Sequence, residues 1–561
     1  MIFDTVQVYA IAVGAFFAIL LLERMYRYCK TSLAYVYRCC KKSLAYVYRC
    51  CKTSLAYVYH YCKTFLAYVY RLLLRYLVYP QLVSRHRFLG PWSRSDVLIQ
   101  LVLVTANAFC LLFRAPSWRE ASQRAARLSL VNLAPAYGSP HLSFFADIFS
   151  LSLRKARLVH ATAGSMALLL LAFHVAAVFV SHVPFPLRLA RNMWGVVSAS
   201  SLCLVALSSA PVARRVWHEV SVRLHQILAV ACILAAWFHL EPEALFSRIG
   251  ISALVAVFAS VLLLQCAYLV YQNVHWNSVS GTWLSRAYLI SDGDAVRVRL
   301  HLSRHLKIEA GQYIGLCIPA VGFWSSLQSH PFTVVRWENE EQTGLDLLVE
   351  PRSGWTRKLL ELADADAKLR PAEVDINQLP SHLALFTGPH GRSVPVADYE
   401  TVLLISSGFG ICSQLPYLRL LLHSDNACKT RGRRIHVIWQ PERQSKNRSI
   451  ASELNAALSA DTLDGSYKLT ISIYVPSSEK CDISLGRRVE LYCGSAPDLE
   501  RILEEERKGV HIKQVQDETG KREGMAVLVS ATGSIRDRVK ELVRDRVKDG
   551  VDLFELEYQP V

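Results

Sequence analysis

Four histidines stand in two apolar segments at matched spacing. His160 and His174 lie in one segment, His225 and His239 lie in the other, and each pair is fourteen residues apart. On an α-helix this spacing gives a rise of about 21 Å and turns the second side chain only about 40° from the first. Two such helices side by side would form two bis-histidine sites, each suited to a haem iron. Because ionisable groups inside membrane helices are costly and usually functional, we expect haem ligation; a structural hydrogen bond to a neighbouring helix is the alternative for each histidine.

The segments that carry these histidines belong to a membrane protein with a large soluble part. The chain has 561 residues, of which 52% are hydrophobic, and a mean hydropathy of +0.22. Seven apolar runs are long enough to span a bilayer. They cover residues 6–22, 96–114, 128–150, 158–181, 194–211, 224–241 and 250–271. Arginines before the fourth and sixth runs place those loops in the cytosol by the positive-inside rule, and the C-terminal half with them.

The charge and the cysteines narrow the class of protein further. A net charge of +17 lies partly beside the membrane spans, which favours contact with anionic membrane lipid and not with nucleic acid. The fifteen cysteines sit mostly in apolar or cytosolic segments, so we expect reduced thiols. We therefore predict a multi-pass membrane protein that resides in the plasma membrane.

Residues 30–73 hold an eleven-residue repeat. Its copies read KTSLAYVYRCC, KKSLAYVYRCC, KTSLAYVYHYC and KTFLAYVYRLL. Eleven residues make almost three helical turns, so the lysines of successive copies would form a slowly winding stripe. One interpretation is a basic amphipathic helix on the inner leaflet, with cysteines that carry palmitate. The other is a duplicated helical segment without a selected role.

After residue 280 the sequence changes to short β-rich runs, as expected of an antiparallel barrel. GQYIGLCIP, QSHPFTVV and SGWTRKL follow one another here. Together with the histidine spacing, they resemble the ferric reductase and NADPH oxidase superfamily. The resemblance implies that the segment His330, Pro331, Phe332 and Thr333 packs along FAD, with the threonine hydroxyl near the isoalloxazine ring. It also implies that the amides of Gly354, Trp355 and Thr356 face the flavin pyrophosphate.

From about residue 398 strands and helices alternate, which predicts an α/β nucleotide-binding domain. A buried strand leads into SGFGI and then into a helix, a layout that sets backbone N–H groups against a pyrophosphate. The segment resembles the pyridine-nucleotide motif of the family. The implied NADPH (or NADH) site comprises Ser407, Gly408, Gly410, Ile411, Cys412, Arg443 and Thr532. Arg443 would contact a 2′-phosphate and select NADPH, or is an ordinary loop arginine.

Several departures from the family pattern fall on the nicotinamide side. Ser407 and Cys412 replace a usual glycine and a usual threonine, and Thr532 stands where a cysteine is usual. The terminal aromatic residue of the family is absent, because the chain ends EYQPV. Hydride entry is therefore the step that these departures would affect. The Trp194-Gly195 pair and the segment HEVSVRLHQ look like those of fungal ferric reductases.

The predicted architecture is a multi-domain membrane protein: a helical transmembrane bundle with bis-histidine haems, an antiparallel β-barrel that binds FAD, and an α/β Rossmann-like NAD(P)-binding domain. The predicted boundaries are 1–95 for the N-terminal span and repeats, 96–272 for the six-helix haem domain, 280–396 for the barrel and 398–561 for the nucleotide domain. The resemblance covers residues 96–561.

The resemblance implies electron transfer from NAD(P)H through FAD and two haems b to an extracytoplasmic ferric or cupric chelate. Short outer loops near 182–193 and 242–249 favour a bulky chelate as acceptor. Reduction of dioxygen to superoxide, and a haem- and flavin-binding regulator, are the alternatives. Outer-sphere reduction needs no general acid or base, so no catalytic side chain is predicted. Association with a metal permease or oxidase is a further expectation.

Overall fold

A computed structural model describes most of the chain, in two compact units. It describes residues 4–39, 61–62, 64–86, 90–277, 282–292, 295–322, 329–368, 380–428, 434–442, 448–461, 468–476, 489–510 and 524–559. One unit comprises Met1–Val69 and Gln81–Gln265, and the other comprises Tyr70–Pro80 and Cys266–Val561. Half of the repeat segment 30–73, namely residues 40–60 and residue 63, lies outside the described residues.

The first unit is helical. Its helices are α1 (Thr5–Cys39), α2 (Arg94–Leu112), α3 (Trp118–Tyr137), α4 (Leu142–Ile148), α5 (Leu153–Val180), α6 (Ala190–Ser208), α7 (Pro211–Val216), α8 (His218–His239) and α9 (Leu245–Asn273), whose last turns belong to the second unit. A small hairpin of β1 (Gln81–Val83) and β2 (Trp92–Ser93) precedes α2. Six segments of the described residues are long and apolar enough to cross a membrane: Thr5–Tyr26, Arg94–Leu112, Leu153–Val180, Ala190–Ser208, His218–His239 and Leu245–Asn273.

The predicted third span over 128–150 is wrong in its bounds. The chain forms α3 earlier, over Trp118–Tyr137, and breaks at Gly138 before the short helix α4. Hydropathy does not give the bounds of helix α3, because the helix contains the polar residues Arg124, Ser129 and Asn132. These side chains are buried within the protein. The two ends of α3 nevertheless contact the two histidine levels of α5, so α3 runs antiparallel to α5 across the whole depth between them.

Four helices form the centre of this unit. Helices α3, α5, α6 and α8 each contribute one side chain to a buried layer midway along the bundle: Leu133, Ala167, Leu202 and Cys232. Hydroxyl groups connect the helices at this level, because Ser129 donates to the Ala167 carbonyl at 2.9 Å and Ser198 to the Cys232 carbonyl at 3.0 Å. Such contacts replace the hydrophobic effect, which does not drive helix association in lipid.

The second unit begins, after α9, with antiparallel sheets. A two-stranded hairpin joins β3 (Val274–Asn277) and β4 (Thr282–Leu284). The barrel strands are β5 (Arg286–Ser291), β6 (Val296–Leu306), β7 (Tyr313–Cys317), β8 (His330–Thr333), β9 (Gln342–Val349), β10 (Ser381–Leu383) and β11 (Leu385–His390), with α10 (Trp355–Lys368) beside them. They form two sheets in the orders β10-β5-β6-β9 and β11-β7-β8, which a bridge between Val334 and Leu347 connects.

The last part of the chain is an α/β domain. Its strands are β12 (Thr401–Ser407), β13 (Arg434–Gln440), β14 (Leu469–Val475), β15 (Val489–Cys493), β16 (Met525–Ser530) and β17 (Val551–Glu555). Its helices are α11 (Leu415–Cys428), α12 (Arg448–Ala460), α13 (Leu499–Lys508) and α14 (Gly533–Arg546). All strand pairs are parallel, in the order β15-β14-β13-β12-β16-β17. The order reverses between β12 and β16, and ligands of such sheets bind at this switch point.

Candidate functional site

The structure brings the four predicted histidines together as two pairs. The imidazole rings of His160 on α5 and His225 on α8 have centroids 6.0 Å apart. His174 and His239 lie fourteen residues further along the same two helices, at their other level. Two imidazoles that bind one metal ion at about 2.1 Å have centroids separated by about 6 Å, so the first pair already has the spacing of a shared ion.

Serine side chains orient the pair His160 and His225. Ser139 Oγ lies 2.9 Å from His160 Nδ1, and Ser209 Oγ lies 2.9 Å from His225 Nδ1. Each serine stands at the C-terminal end of a helix, and its hydroxyl donates to a carbonyl of the last turn, that of Pro135 at 2.9 Å or Val205 at 2.8 Å. A hydroxyl has one proton to donate, so each serine accepts the hydrogen bond from the histidine.

Backbone carbonyls orient the other pair. His174 Nδ1 lies 2.9 Å from the Ser122 carbonyl oxygen, and His239 Nδ1 lies 3.0 Å from that of Arg191. A carbonyl oxygen only accepts, so both Nδ1 atoms carry a proton. When neutral, each of the four imidazoles with Nδ1 bonded in this way has an unprotonated Nε2. Fixing one ring nitrogen in this way is how proteins orient a metal-ligating histidine.

Two glycines leave room beside the histidines. A Cβ built on Gly164, one turn after His160, meets no described atom within 4 Å. A Cβ on Gly195 would lie 2.6 Å from His239 Nδ1, so only glycine lets α6 approach this ring. The free Nε2 atoms and the open space beside Gly164 are compatible with a haem held by His160 and His225. In the described residues no group of three or more His, Cys, Asp or Glu side chains could hold a metal ion, so any metal here depends on pairs.

The predicted flavin segment forms an edge of the barrel. Strand β8 is the segment His330, Pro331, Phe332 and Thr333, and it pairs with β7. The His330 ring stacks on Trp355 with centroids 4.6 Å apart and planes 21° apart. Trp355 is buried, and its indole N–H has no hydrogen-bond partner among the described residues. A buried donor beside stacked rings is a feature that a polar aromatic ligand such as a flavin could satisfy.

The Thr333 hydroxyl is bonded within the protein. Its side chain is buried, and Oγ1 donates to the Tyr558 carbonyl oxygen at 2.8 Å. Tyr558 stacks on Phe409 with centroids 6.0 Å apart, and its hydroxyl donates to the Leu348 carbonyl oxygen. The chain end therefore supplies a buried aromatic residue between the barrel and the nucleotide domain. The sequence predicts its loss because the tyrosine is not the last residue.

The predicted pyrophosphate turn precedes a helix of fourteen residues. Gly354 has φ of +61°, a left-handed conformation that favours glycine, and Trp355 begins α10. Thr356 Oγ1 accepts from the Arg352 N–H at 3.0 Å, which closes the turn. The first-turn N–H groups of a helix have no partners within the helix, so these residues could hold a phosphate.

The glycine turn lies at the switch point of the parallel sheet. Residues Gly408–Ser413 follow β12 as one 3₁₀ turn. Gly408 has φ of +52°, and a Cβ on Gly410 would lie 2.0 Å from the Ser530 carbonyl oxygen, so the turn packs directly on the end of β16. Ser407 Oγ accepts from the Thr532 N–H at 2.7 Å. The structure thus joins Ser407, both glycines and Thr532 at one edge, as a nucleotide site requires.

Two predicted residues of this site are enclosed in the domain core. The side chains of Ile411 and Cys412 are fully buried, and burial raises the pKa of the Cys412 thiol. Their side chains pack in the core and support the turn, so only their backbone atoms can contact a ligand. Arg443 lies outside the described residues.

Sequence reasoning missed the residues that orient the histidines. Ser122, Ser139 and Ser209 stand 16 to 52 positions from their partners, so no local motif marks them. It also missed Gln414, whose amide donates to the Ile405 carbonyl oxygen at 2.7 Å and to that of Leu528 at 3.2 Å. This glutamine connects β12 to β16 beneath the glycine turn.

Comparisons with known proteins match both halves of the chain. Residues 125–236 match the family model "Ferric reductase like transmembrane component", and residues 282–394 match that of an FAD-binding domain. Ferric/cupric reductase transmembrane component 7 of Saccharomyces cerevisiae is 26% identical over 243 residues, which are 42% of this chain and 36% of that protein. Ferric reductase transmembrane component 3 of the same yeast is 26% identical over 218 residues, which are 38% of this chain and 27% of that protein.

One solved structure aligns with a larger share of the chain, at lower sequence identity. The flavohemoglobin from Malassezia yamatoensis with bound FAD and heme covers 78% of this chain and 98% of its own, with 14% identity and a TM-score of 0.34. The match to the curated reductases spans only about a third of their length. The helical unit and the barrel are nevertheless matched in the order that the resemblance predicts. The similarity to ferric reductases therefore covers residues 125–236, and the similarity to FAD-binding domains covers residues 282–394.

Proposed function

We propose that this protein transfers electrons across a membrane from NAD(P)H, through FAD and two haems b, to a ferric or cupric chelate on the extracytoplasmic side. The observation that carries the proposal is the common state of the four histidines. Each directs Nδ1 at an oxygen atom 2.9–3.0 Å away, which leaves Nε2 of the neutral ring free to bind a metal. A structural histidine has no need of this shared arrangement, whereas axial ligation of iron requires an unprotonated nitrogen.

The chain's own residues supply position and surroundings. His160 and His225 would hold one haem, and His174 and His239 the other, while Ser139 fixes the ring angle of its partner. The haems and FAD supply one-electron chemistry when bound. Trp355 and the turn at Gly354 would hold FAD, and the barrel strands exclude water from one side of it. The helices between the two histidine levels provide a low-dielectric path without charged side chains in the buried layer.

The proposed acceptor side is rich in arginine, but several of these arginines are held in ion pairs. Arg124 and Arg127 form ion pairs with Glu120 at 2.6 Å and Asp4 at 3.0 Å. Arg191 pairs with Glu241 at 2.7 Å, and its carbonyl contacts His239. Arg119 and Arg188 are exposed and form no ion pair with another described residue. We propose that these two attract anionic chelates to the histidine pair nearer the extracytoplasmic side.

The loops on this side are short. Residues 181–189 connect α5 to α6 and residues 240–244 connect α8 to α9. Short loops leave the adjacent histidine pair open to a bulky chelate, which supports metalloreduction over reduction of dioxygen. Dioxygen remains the second candidate, because it needs no docking surface.

Glu442 supports NADH as the hydride donor. A Cβ on Gly408 would lie 2.9 Å from Glu442 Oε1, so this carboxylate stands against the glycine turn, just after β13. A carboxylate at this position of a nucleotide-binding sheet accepts hydrogen bonds from a ribose 2′-hydroxyl and repels a 2′-phosphate. We expect Glu442→Gln to lower kcat/KM for NADH about tenfold and to raise the NADPH-to-NADH ratio. A ratio that stays constant in steady-state assays with both nucleotides would contradict this choice of donor.

An anaerobic absorption spectrum of the purified, FAD-loaded chain tests the proposed path. We expect b-type haem bands to sharpen after addition of NADH, and two haems per chain by pyridine haemochrome assay. His239→Ala should leave one haem and abolish reduction of ferric chelate. His182→Ala, an exposed loop histidine, is the matched control and should keep both haems. Two haems in His239→Ala would overturn the ligand assignment.

The same preparation separates the alternatives. Haem that dithionite reduces but NADH and NADPH do not, in chains fully loaded with FAD, would favour the regulator. Haem that is reduced, followed by consumption of dioxygen without chelate reduction, would favour the oxidase.

A further inference from the structure

We propose that the β3–β4 hairpin is a lipid-binding element, with Trp276 and Trp283 inserted among the phospholipid headgroups of the bilayer that α9 crosses. The two indole rings lie side by side, with centroids 5.2 Å apart. They are 47% and 61% exposed, although they belong to strands that pair through Val274 and Leu284. Exposed apolar patches outside the membrane-spanning helices often mark a site that binds another molecule or a membrane.

The length of α9 places this pair at the depth of the headgroups. Its 29 residues rise about 43 Å. A bilayer with its headgroups is about 40–45 Å thick, so a helix that enters on one side ends at the headgroups of the other. Strand β3 begins at the next residue, Val274. The hairpin is therefore continuous with a membrane-spanning helix, and lipid is the partner that must lie beside it.

The end of α9 is rigidly attached to the barrel. Gln272 donates to the Gly388 carbonyl oxygen, and the Asn273 amide donates to the Phe386 carbonyl oxygen at 2.7 Å. Asn273 also accepts from the Phe386 N–H at 2.9 Å. Because these contacts hold helix and barrel together, lipid contact of the hairpin would fix the height of the FAD-binding barrel at the membrane surface.

The chemistry of the neighbouring residues suits headgroups and not the hydrocarbon core. Tyr271, on the last turn of α9, is 56% exposed and hydrogen-bonds Arg304 Nη1 at 2.8 Å. The Arg304 guanidinium lies 4.1 Å from the centre of the same ring. Tryptophan and tyrosine are enriched where apolar and wet phases meet, and an arginine beside them can contact lipid phosphate.

Fluorescence quenching by lipid tests the proposal on the full-length chain. The protein is placed, one chain per nanodisc, in phosphatidylcholine or in phosphatidylcholine brominated close to the headgroup. Trp276→Phe/Trp283→Phe is compared with the natural sequence and with Trp337→Phe, a half-buried tryptophan of the same unit that packs on His423. We expect the double substitution to remove a part of the bromine-quenched emission that the control retains.

The outcomes are distinct from those of the electron-transfer assay. The lipid contact would be overturned if the emission lost in the double variant is emission that brominated lipid does not quench. It would also be overturned if the double variant and Trp337→Phe show the same bromine-quenched emission. Phenylalanine keeps the strand pairing, and FAD and haem contents equal to those of the natural chain verify that the variant is folded. Quenching does not require NADH, so a failure here leaves the proposed function untouched, and the reverse also holds.

Discussion

The serine partners of the histidines are the residues on which the proposed haem sites depend most. Ser139 and Ser209 occupy equivalent positions, each at the end of a helix and each bonded both to the last turn and to a histidine. The carbonyl bond leaves the serine oxygen only as an acceptor, which sets the histidine tautomer. A serine at a helix end thus does for these histidines what a carboxylate does in many metal sites.

Ser139→Ala should weaken haem binding at the His160 level. Loss of such an outer partner costs about 10–100-fold in metal affinity, so we expect partial loss of one haem and a shifted reduction midpoint. Ser129→Ala is the matched control, because Ser129 lies on the helix that ends just before Ser139 and its hydroxyl donates to the Ala167 carbonyl, not to a histidine. Redox titration with haem quantification checks this; equal effects of the two substitutions would mean that the histidine contact is incidental.

Gly195 and Gly164 give a second test at the same scale. Gly195→Ala would bring a methyl group within 2.6 Å of His239 Nδ1, so the ring must move and we expect loss of the haem proposed for His174 and His239. The Cβ added by Gly164→Ala would have no described atom within 4 Å, so this substitution tests a site with free space. Its methyl group should compete only with a bound haem, which would lower the haem content without lowering the stability of the apoprotein. Thermal melting of the haem-free form, compared with haem content, distinguishes the two effects.

At the scale of elements, a buried ionic cluster connects three parts of the nucleotide domain. Glu506 on α13 binds Arg434 through two contacts of 2.6 Å and His436 at 2.7 Å, both on β13. His436 Nε2 lies 2.8 Å from Ser472 Oγ on β14. Breaking such a pair leaves an uncompensated buried charge, so these contacts hold α13 on the sheet with little tolerance for change.

This cluster predicts acid sensitivity of the nucleotide domain. Burial alone would raise the pKa of Glu506, but Arg434 and His436 hold it at about 2. A carboxyl with a depressed pKa stabilises the fold above its unfolded pKa, and that stability is lost as the pH falls through the folded value. We therefore expect stability to decrease from about pH 5 to pH 2, by roughly 3 kcal/mol.

Glu506→Gln should destabilise the domain at neutral pH and flatten this dependence. Glu500→Gln is its control, since Glu500 lies on the same helix in an exposed pair with Arg538. Hydrogen exchange of the β13 amides across this range checks the prediction. An unchanged pH profile in Glu506→Gln would assign the acid sensitivity to other carboxyls.

At the scale of the whole molecule, the sequence predicts the parts whose signals are local. The histidine pairs follow from helical spacing, β8 from a β-rich run, and the parallel sheet from alternating strands and helices. Hydropathy misplaces helix α3 because the helix contains polar side chains, which other parts of the protein bury. The serine partners, the orientation of Thr333 and the buried Tyr558 depend on contacts across 16 to 225 positions, which no window of sequence contains.

The segment Tyr70–Pro80 is the clearest long-range feature. The sequence assigns it to the N-terminal block, yet in the structure it belongs to the unit of the nucleotide domain, between stretches of chain that belong to the helical unit. Leu74 and Tyr79 are buried in the apolar layer beneath α14, and Tyr79 bonds the backbone of Leu553 on β17. An element supplied from more than 300 positions upstream therefore completes the core of this domain.

Removing that element should destabilise the nucleotide domain and leave the haem sites intact. Leu74 is 9% exposed and its neighbour Leu73 is 45% exposed, so the two residues form a matched pair on adjacent positions. Leu74→Asp loses the burial of a core leucine, about 2–5 kcal/mol, and places a charge in an apolar layer. Leu73→Asp should cost less than about 1 kcal/mol, because its side chain already contacts solvent. Hydrogen exchange of β16 and β17 in the full chain measures both. Fast exchange in Leu74→Asp only, with two haems retained, is the expected result; slow exchange in both variants would mean that the domain core is complete without this segment.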